Sequence, residues 1–363
     1  MSEPFDLADL LKEHSDKLNF PGAMLMKYGP EDYIGATMVM RGSVFFKDSH
    51  TQEVREKICE CFDEYEAIAK EHLKWLWFDE PPKGPDRFSY AKAPKIRDYA
   101  GALRDDDRMG FACISGEKPH DASQWQFKVF GHRGWQVKMG TWGLSSLQFS
   151  LPLLYVEEHP TAFQKLFVSF ATSLKAVHGH GGHALQLSVV RKEPNEPVEA
   201  MMLDFANGVD GGDTAMIGTS DEIGITKNIK TIGWLTAINH DMIKRVGGLT
   251  TIRSELPMDW YALYDYTEGL VIQAGPKPEL APKTLDPMPA TYVLVNHLLK
   301  QVRIPEIGSL HYGSKNGEPR ITGWSAEQWL KRFDIEDDAL MPYKAKLLDE
   351  PKLTQKTTLK ERV

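Results

Sequence analysis

Residues 231–303 constrain the fold more than any other part of this chain, because element type changes repeatedly there with a turn residue at nearly every junction. The order predicted is strand, short helix, strand, hairpin and helix. Gly233 and Trp234 open it. Asn239 is placed to cap a helix whose interior is 240–246, and Gly247 and Gly248 supply the left-handed conformation that ends it. After Pro257, the residues Trp260, Ala262, Tyr264 and Tyr266 alternate with Tyr261, Leu263 and Asp265, the pattern of a strand with both faces largely covered. Glu268 and Gly269 turn the chain, and 270–274 returns as the partner strand until Gly275 and Pro276 stop it.

The rest of the chain repeats that mixture without a residue-level repeat. Leu7, Leu10, Leu11 and Leu18 predict a short amphipathic helix after Pro4. A strand is expected over 34–46, with Gly42 marking a bulge or a close approach. Val54, Ile58, Cys61, Phe62, Tyr65, Ile68, Ala69, Leu73 and Leu76 recur at three and four residues and predict one long helix over 51–77. The Pro-rich, charged stretch 79–107 reads as an exposed connection. Strands are expected at 111–115 and 125–130 and along Leu147, Phe149, Leu151, Leu153 and Tyr155, followed by a helix with Pro160 in its first turn and Phe163, Leu166, Phe167, Phe170, Leu174 and Val177 on one side. Gly179 is read as the end of that helix, and 184–190 as a strand.

The fold class that follows is α+β: mainly antiparallel sheets with long helices packed on one side, divisible into two similar lobes. The boundaries expected are an N-terminal helix in 1–30, a first lobe over 31–191, a connecting segment over 192–228 with Gly208, Gly211 and Gly212, a second lobe over 229–340, and a basic tail over 341–363. The tail carries six Lys or Arg against three Asp or Glu, so the body holds 37 basic and 48 acidic side chains. The formal net charge of −8 disfavours nucleic acid as a direct partner and favours a basic one. Cys59, Cys61 and Cys113 cannot form a disulfide framework and read as reduced thiols. The N-terminus has neither the basic start nor the apolar core of a signal peptide, and no apolar run reaches the length of a membrane span. A cytoplasmic address with no membrane contact is expected.

Candidate chemistry is thin. His178, His180 and His183 in HGHGGH are the one cluster that suggests a metal, and a metal-dependent enzyme built on them is the rival functional reading. A polar turn at a helix end accounts for the same residues, since no Asp, Glu or Cys ligand is adjacent. There is no GxSxG elbow, Cys113 reads as a small buried hydrophobe, and the glycines of DGGDTAMIG lack the GK[ST] of a phosphate loop. No catalytic residue, metal or cofactor is assigned.

GWLTAIN (233–239), the Gly247–Gly248 pair, IQAGPKPEL (272–280), YVLVNHLLKQVR (292–303) and WLKRFD (329–334) together resemble the TsiV family, in order and spacing, with a weaker extension back to about Tyr33. Members are immunity proteins encoded beside type VI secretion effectors that carry VRR-Nuc or related restriction-endonuclease-like domains. The resemblance implies a non-catalytic protein that binds a cognate nuclease effector and neutralises it. The carboxylate-x-lysine spacing of such nucleases occurs here only as Glu350, Pro351, Lys352 in the tail, so this chain reads as the inhibitor of the pair. The acidic groups available to face a basic nuclease are Asp105, Asp106 and Asp107, Glu157 and Glu158, and Asp210 with Asp213. A structural or adaptor role in the secretion apparatus is a third possibility.

Overall fold

The structure, a computed structural model, describes residues 7–79, 87–284, 288–311 and 321–360. Its strands are β1 (Asn19–Gly22), β2 (Glu31–Phe46), β3 (Trp75–Phe78), β4 (Arg87–Ser89), β5 (Gly110–Ile114), β6 (Gln126–Phe130), β7 (Ser145–Leu151), β8 (His178–Leu187), β9 (Leu235–Asn239), β10 (Tyr261–Asp265) and β11 (Gly269–Ala274). They form one sheet in the order β10-β11-β9-β8-β2-β7-β6-β5-β3-β4, with β1 added beside β2. Each pairing is antiparallel, and with the surrounding helices this makes the fold α+β. The sheet does not stop between the two expected lobes: His178 to Gly181 of β8 pair with Leu235 to Ile238 of β9.

The two long helices share one face of the sheet. Thr51 starts Gln52–Ala69 by accepting a hydrogen bond from the Val54 amide. Phe62 and Tyr65 of that helix meet Phe127 of β6, each with ring centroids 5.3 Å apart, and Phe170 of helix Ala162–Ser173 meets Phe149 of β7 at 5.0 Å. Burying each such ring contributes about 1.5–3 kcal/mol. Gly42 lies in regular register, and a Cβ there would come within 2.3 Å of the Phe149 ring, so its role is close approach rather than a bulge.

Three local expectations need correction. The helix predicted over 51–77 ends at Ala69, and Trp75–Phe78 is strand β3, held between β4 and β5. Leu73 and Leu76 continue the helical spacing by coincidence, while the run WLWF suits a pleated, half-buried surface. The strand predicted through Tyr155 ends at Leu151, because Pro152 has no N–H for the ladder and instead begins helix Leu153–Glu158. HGHGGH is neither a helix end nor a turn. It is the first part of β8, flanked by β2 and β9. The glycines are what permit this: Cβ atoms at Gly179 and Gly181 would lie 3.2 Å and 2.9 Å from the rings of Phe167 and Phe163, so their absence lets helix Ala162–Ser173 settle on the strand.

In the opening stretch the expectations hold. Asn239 accepts from the Met242 amide at 3.0 Å, Gly247 and Gly248 have φ of 97° and 83°, and β10 and β11 form the hairpin. Helix Gly248–Glu255 is an addition to that reading. Part of the Pro-rich connection, residues 80–86, lies outside the described residues.

β2 is long and coiled. Gln148 of β7 sits opposite Ser43 and Gln186 of β8 opposite Thr37, positions about 20 Å apart along a flat strand. Their side-chain amides nevertheless meet at 2.8 Å. The coil carries the end of β8 over the sheet, where Val189 packs against Trp77, Ala112 and Ile114. The face opposite the long helices is therefore concave, and its centre is polar.

Candidate functional site

On that concave face β2 presents Arg41 and Ser43, β8 presents His178 and His180, and residues 192–232 lie across them. This segment, expected as a connection, carries helices Glu196–Phe205 and Thr214–Thr219 and delivers buried acidic groups to the sheet. Asp210 is the hub. Its Oδ2 accepts from Arg41 Nη2 at 2.8 Å and lies 3.2 Å from His180 Nε2, and its Oδ1 accepts from Lys230 Nζ at 2.8 Å. Lys230 also donates to the Gly211 carbonyl at 2.5 Å, and Arg41 Nη1 to the Leu185 carbonyl at 3.3 Å. Burial alone would raise the Asp210 carboxyl, but Lys230, His180 and Arg41 hold it well below the usual carboxylate range. Burial pulls His180 and Lys230 down, only partly offset by Asp210.

A second group adjoins the first. The Asp213 carboxylate pairs with Lys192, lies 4.0 Å from Lys128, and caps helix Thr214–Thr219 by accepting from the Ala215 amide at 3.0 Å. Burial would raise it, yet the two lysines keep it well below its ordinary range. His311 bonds Glu199, whose carboxylate also accepts from the Gly212 amide; burial alone would lower His311, but Glu199 and Glu196 raise it above its ordinary value. The cavity between these groups, beside Gln126, Gln148 and Gln186, measures about 30 Å³, room for one or two water molecules and not for a substrate. Chemically this arrangement is a fastener: it fixes 192–232 to the sheet with charges that, Lys192 aside, are largely shielded from solvent.

The acidic residues singled out in the sequence now separate. Asp210 and Asp213, expected to be available to a nuclease, are buried, because the concave face supplies them with cations. Glu157 is paired to Lys277 and Glu158 to Lys12. Asp107 turns inward on its own loop, accepting from the Arg104 amide and pairing with the Arg104 side chain. Asp105 and Asp106 remain exposed, with no ion pair among the described residues.

The three histidines do not converge, which removes the geometry the metal reading needs. His178 and His180 face the concave side, where His178 Nε2 bonds the Ile225 carbonyl, while His183 points to the other side of β8. Burial lowers His178 to about 3 and His183 to about 4, so all three stay neutral near pH 7. Among the described residues, no three His, Cys, Asp or Glu side chains are arranged to hold a metal ion. Cys59, Cys61 and Cys113 are free and buried. Glu350 and Lys352 part company: Glu350 Oε1 accepts from the Ala290 amide and Lys352 pairs with Asp259.

Sequence reading missed Arg41, Lys230, Glu199 and His311. Arg41 did leave a signal, a lone cation inside an apolar strand run.

The TsiV family model, described as type VI immunity for VRR-NUC, matches residues 57–333. A solved structure of a Pseudomonas aeruginosa T6SS protein, PA0821, is similar at 45% identity over 100% of this chain and 100% of that one, with a TM-score of 0.91. No curated protein matches. No helix among the described residues is long and apolar enough to cross a membrane.

Proposed function

We propose, because this chain belongs to the TsiV family of type VI immunity proteins for VRR-NUC effectors, that it binds its cognate VRR-NUC effector in the cytoplasm and blocks DNA cleavage, catalysing nothing itself. The family match over 57–333 is the observation that carries this reading, and the 45% identical T6SS protein supports its setting. The ion clusters agree with it in physical terms. Their charged groups are spent on one another inside the fold, so what this chain offers a partner is its outer surface.

Silencing a nuclease within the cell that makes it requires occupancy at all times, hence slow dissociation and an interface of about 1,600 Å² or more. A DNA-cutting domain draws phosphates with cationic groups, and a chain whose body is acidic is drawn to the same groups. The test is co-purification of this chain with the VRR-NUC effector encoded beside it, followed by a DNA cleavage assay. A stable complex in which an equimolar amount of this chain abolishes cleavage is expected; no complex, or undiminished cleavage within one, would overturn the reading.

A further inference from the structure

We infer that the effector docks on the surface formed by helix Gly134–Met139, the Asp105–Asp106 loop beside it and the Glu222 loop on its other flank, with Trp135 as the central anchor. This inference rests on the reading of the chain as an immunity protein and specifies where its partner sits.

The helix exposes Trp135 (41%) and Met139 (61%), which at four residues apart share one side, while Val137 (38% exposed) lies toward the opposite side. The Trp135 ring meets Trp142 edge-on with centroids 6.0 Å apart, and Trp142 leans in turn on His132 at 5.7 Å. Trp135 is therefore held in position while a large part of its ring faces solvent. A held aromatic ring is the commonest kind of binding anchor, since little side-chain entropy remains to be lost on docking.

Loops that carry carboxylates adjoin the helix and Trp142. The Gly134 amide donates to the Asp105 carbonyl at 2.7 Å, and a Cβ at Gly134 would come within 3.1 Å of that same oxygen, so loop and helix are in direct contact. On the other flank Trp142 bridges to Ser220, two residues before Glu222. Asp105, Asp106 and Glu222 form no ion pair among the described residues. Cations stand near these carboxylates too: Arg104 is paired with Asp107, the buried Arg55 interacts with Asp105 and Asp107, and Arg133 caps the helix that carries Lys138.

The acidic loop is also pinned from beneath. Arg55, 1% exposed on helix Gln52–Ala69, donates to the carbonyls of Leu103 and Arg104 at 2.7 Å each and of Asp107 at 3.1 Å. A buried guanidinium spent on three carbonyls of one surface loop gives that loop a fixed shape. An occupant with cationic groups around an apolar pocket, as on the DNA-binding side of a nuclease, matches this centre and border.

The experiment measures binding of the full chain to the nuclease domain of the effector encoded beside it, by calorimetry and by association and dissociation rates at two salt concentrations. Trp135→Ala should weaken binding about thirtyfold or more, mostly through faster dissociation. Met139→Glu, on the most exposed of the three side chains, checks the same patch with no buried contact to lose. Asp105→Lys with Asp106→Lys should slow association about tenfold at low salt and much less at high salt. Phe205→Ser, on a separate helix where Phe205 is 55% exposed, should leave binding unchanged. Binding by wild type that survives both Trp135→Ala and Met139→Glu within twofold overturns the docking surface and leaves the immunity reading standing. Failure of the wild-type chain to bind overturns both.

Discussion

Lys230 and Asp210 form an ion pair 2.8 Å long in which the lysine has no exposed surface at all. The pair is not symmetrical. Asp210 serves Arg41 and the His180 ring as well, so removing the carboxylate strands the Lys230 and Arg41 cations, whereas removing the lysine leaves the carboxylate with Arg41. Asp210→Ala should therefore lower stability by about 3–5 kcal/mol, and Lys230→Met by clearly less. Urea midpoints of the two variants give the order. If Lys230→Met is the more damaging, Asp210 is not the hub.

Glycine substitutions separate close packing from open space. Gly42→Ala drives a methyl group into the Phe149 ring and should cost about 1–3 kcal/mol. A methyl group at Gly101, in helix Ile96–Ala102, would meet nothing within 4 Å, and φ there is ordinary, so Gly101→Ala should stabilise by about 0.5–1 kcal/mol. Thermal unfolding of the pair should shift in opposite directions; shifts of the same sign would refute the packing account of Gly42.

Acid should destabilise the fold through its buried imidazoles, against one opposing carboxyl: burial pushes Glu279 up to about 7, so its contribution grows as pH falls from there. Burial holds His178 neutral to about 3 and His183 to about 4, while in the unfolded chain each gains its proton near 6.5. Below pH 6.5 the unfolded state binds more protons, so their contribution is complete above 6.5 and is lost as pH falls, by up to about 1.4 kcal/mol per pH unit for each histidine. His311 has the opposite sign: its raised value makes its contribution complete below 6.5 and lost as pH rises through the folded value. Comparing the denaturant midpoint of His183→Gln with that of wild type at pH 7, 6 and 5 isolates one imidazole, and the variant should gain on wild type as pH falls. A difference between variant and wild type that stays constant across this range would contradict burial of a neutral imidazole at His183.

The C-terminal segment is expected to matter for the sheet edge. The Thr357 carbonyl accepts from Gln164 at 3.2 Å and from Gln273 at 2.9 Å, and the Leu359 amide donates to the Tyr264 hydroxyl at 3.2 Å. Truncation after Glu350 should cost about 1–3 kcal/mol for the buried amides it strands and speed hydrogen exchange in β10 and β11. Unchanged protection there would show that the tail is dispensable to the edge.

Much of the fold was legible because alternation and three-to-four spacing are local signals. The 147–151 alternation, the 54–69 stripe and the Asn239 cap each depend on residues a few positions apart. HGHGGH was not legible as a strand, because glycine and histidine have low strand propensity and only the rings of Phe163 and Phe167, outside the segment, explain why glycine is needed. The ion cluster was hidden for a related reason. Arg41, His180, Asp210 and Lys230 come from distant parts of the chain, and the coil of β2 that shapes their concave face appears in no local pattern. In the proposed docking surface, Asp105 and Asp106 were readable as acidic groups. Trp135 was not, since exposure of an aromatic ring is decided by what fails to cover it.

The pairing of β2 with β8 also sets a timetable. Ala36, paired with Phe20 on one side, finds its other partner only at Leu187, and the sheet gains its β10–β11 hairpin only when Ala274 has joined Tyr261. A ribosome must therefore release about half of the polypeptide before the central pairing can close, and sheets dominated by such distant pairings mature in milliseconds to seconds rather than microseconds. Under the function proposed above, a newly made chain has an interval in which it protects nothing, so a cell that depends on it needs a standing reserve of finished molecules ahead of every threat.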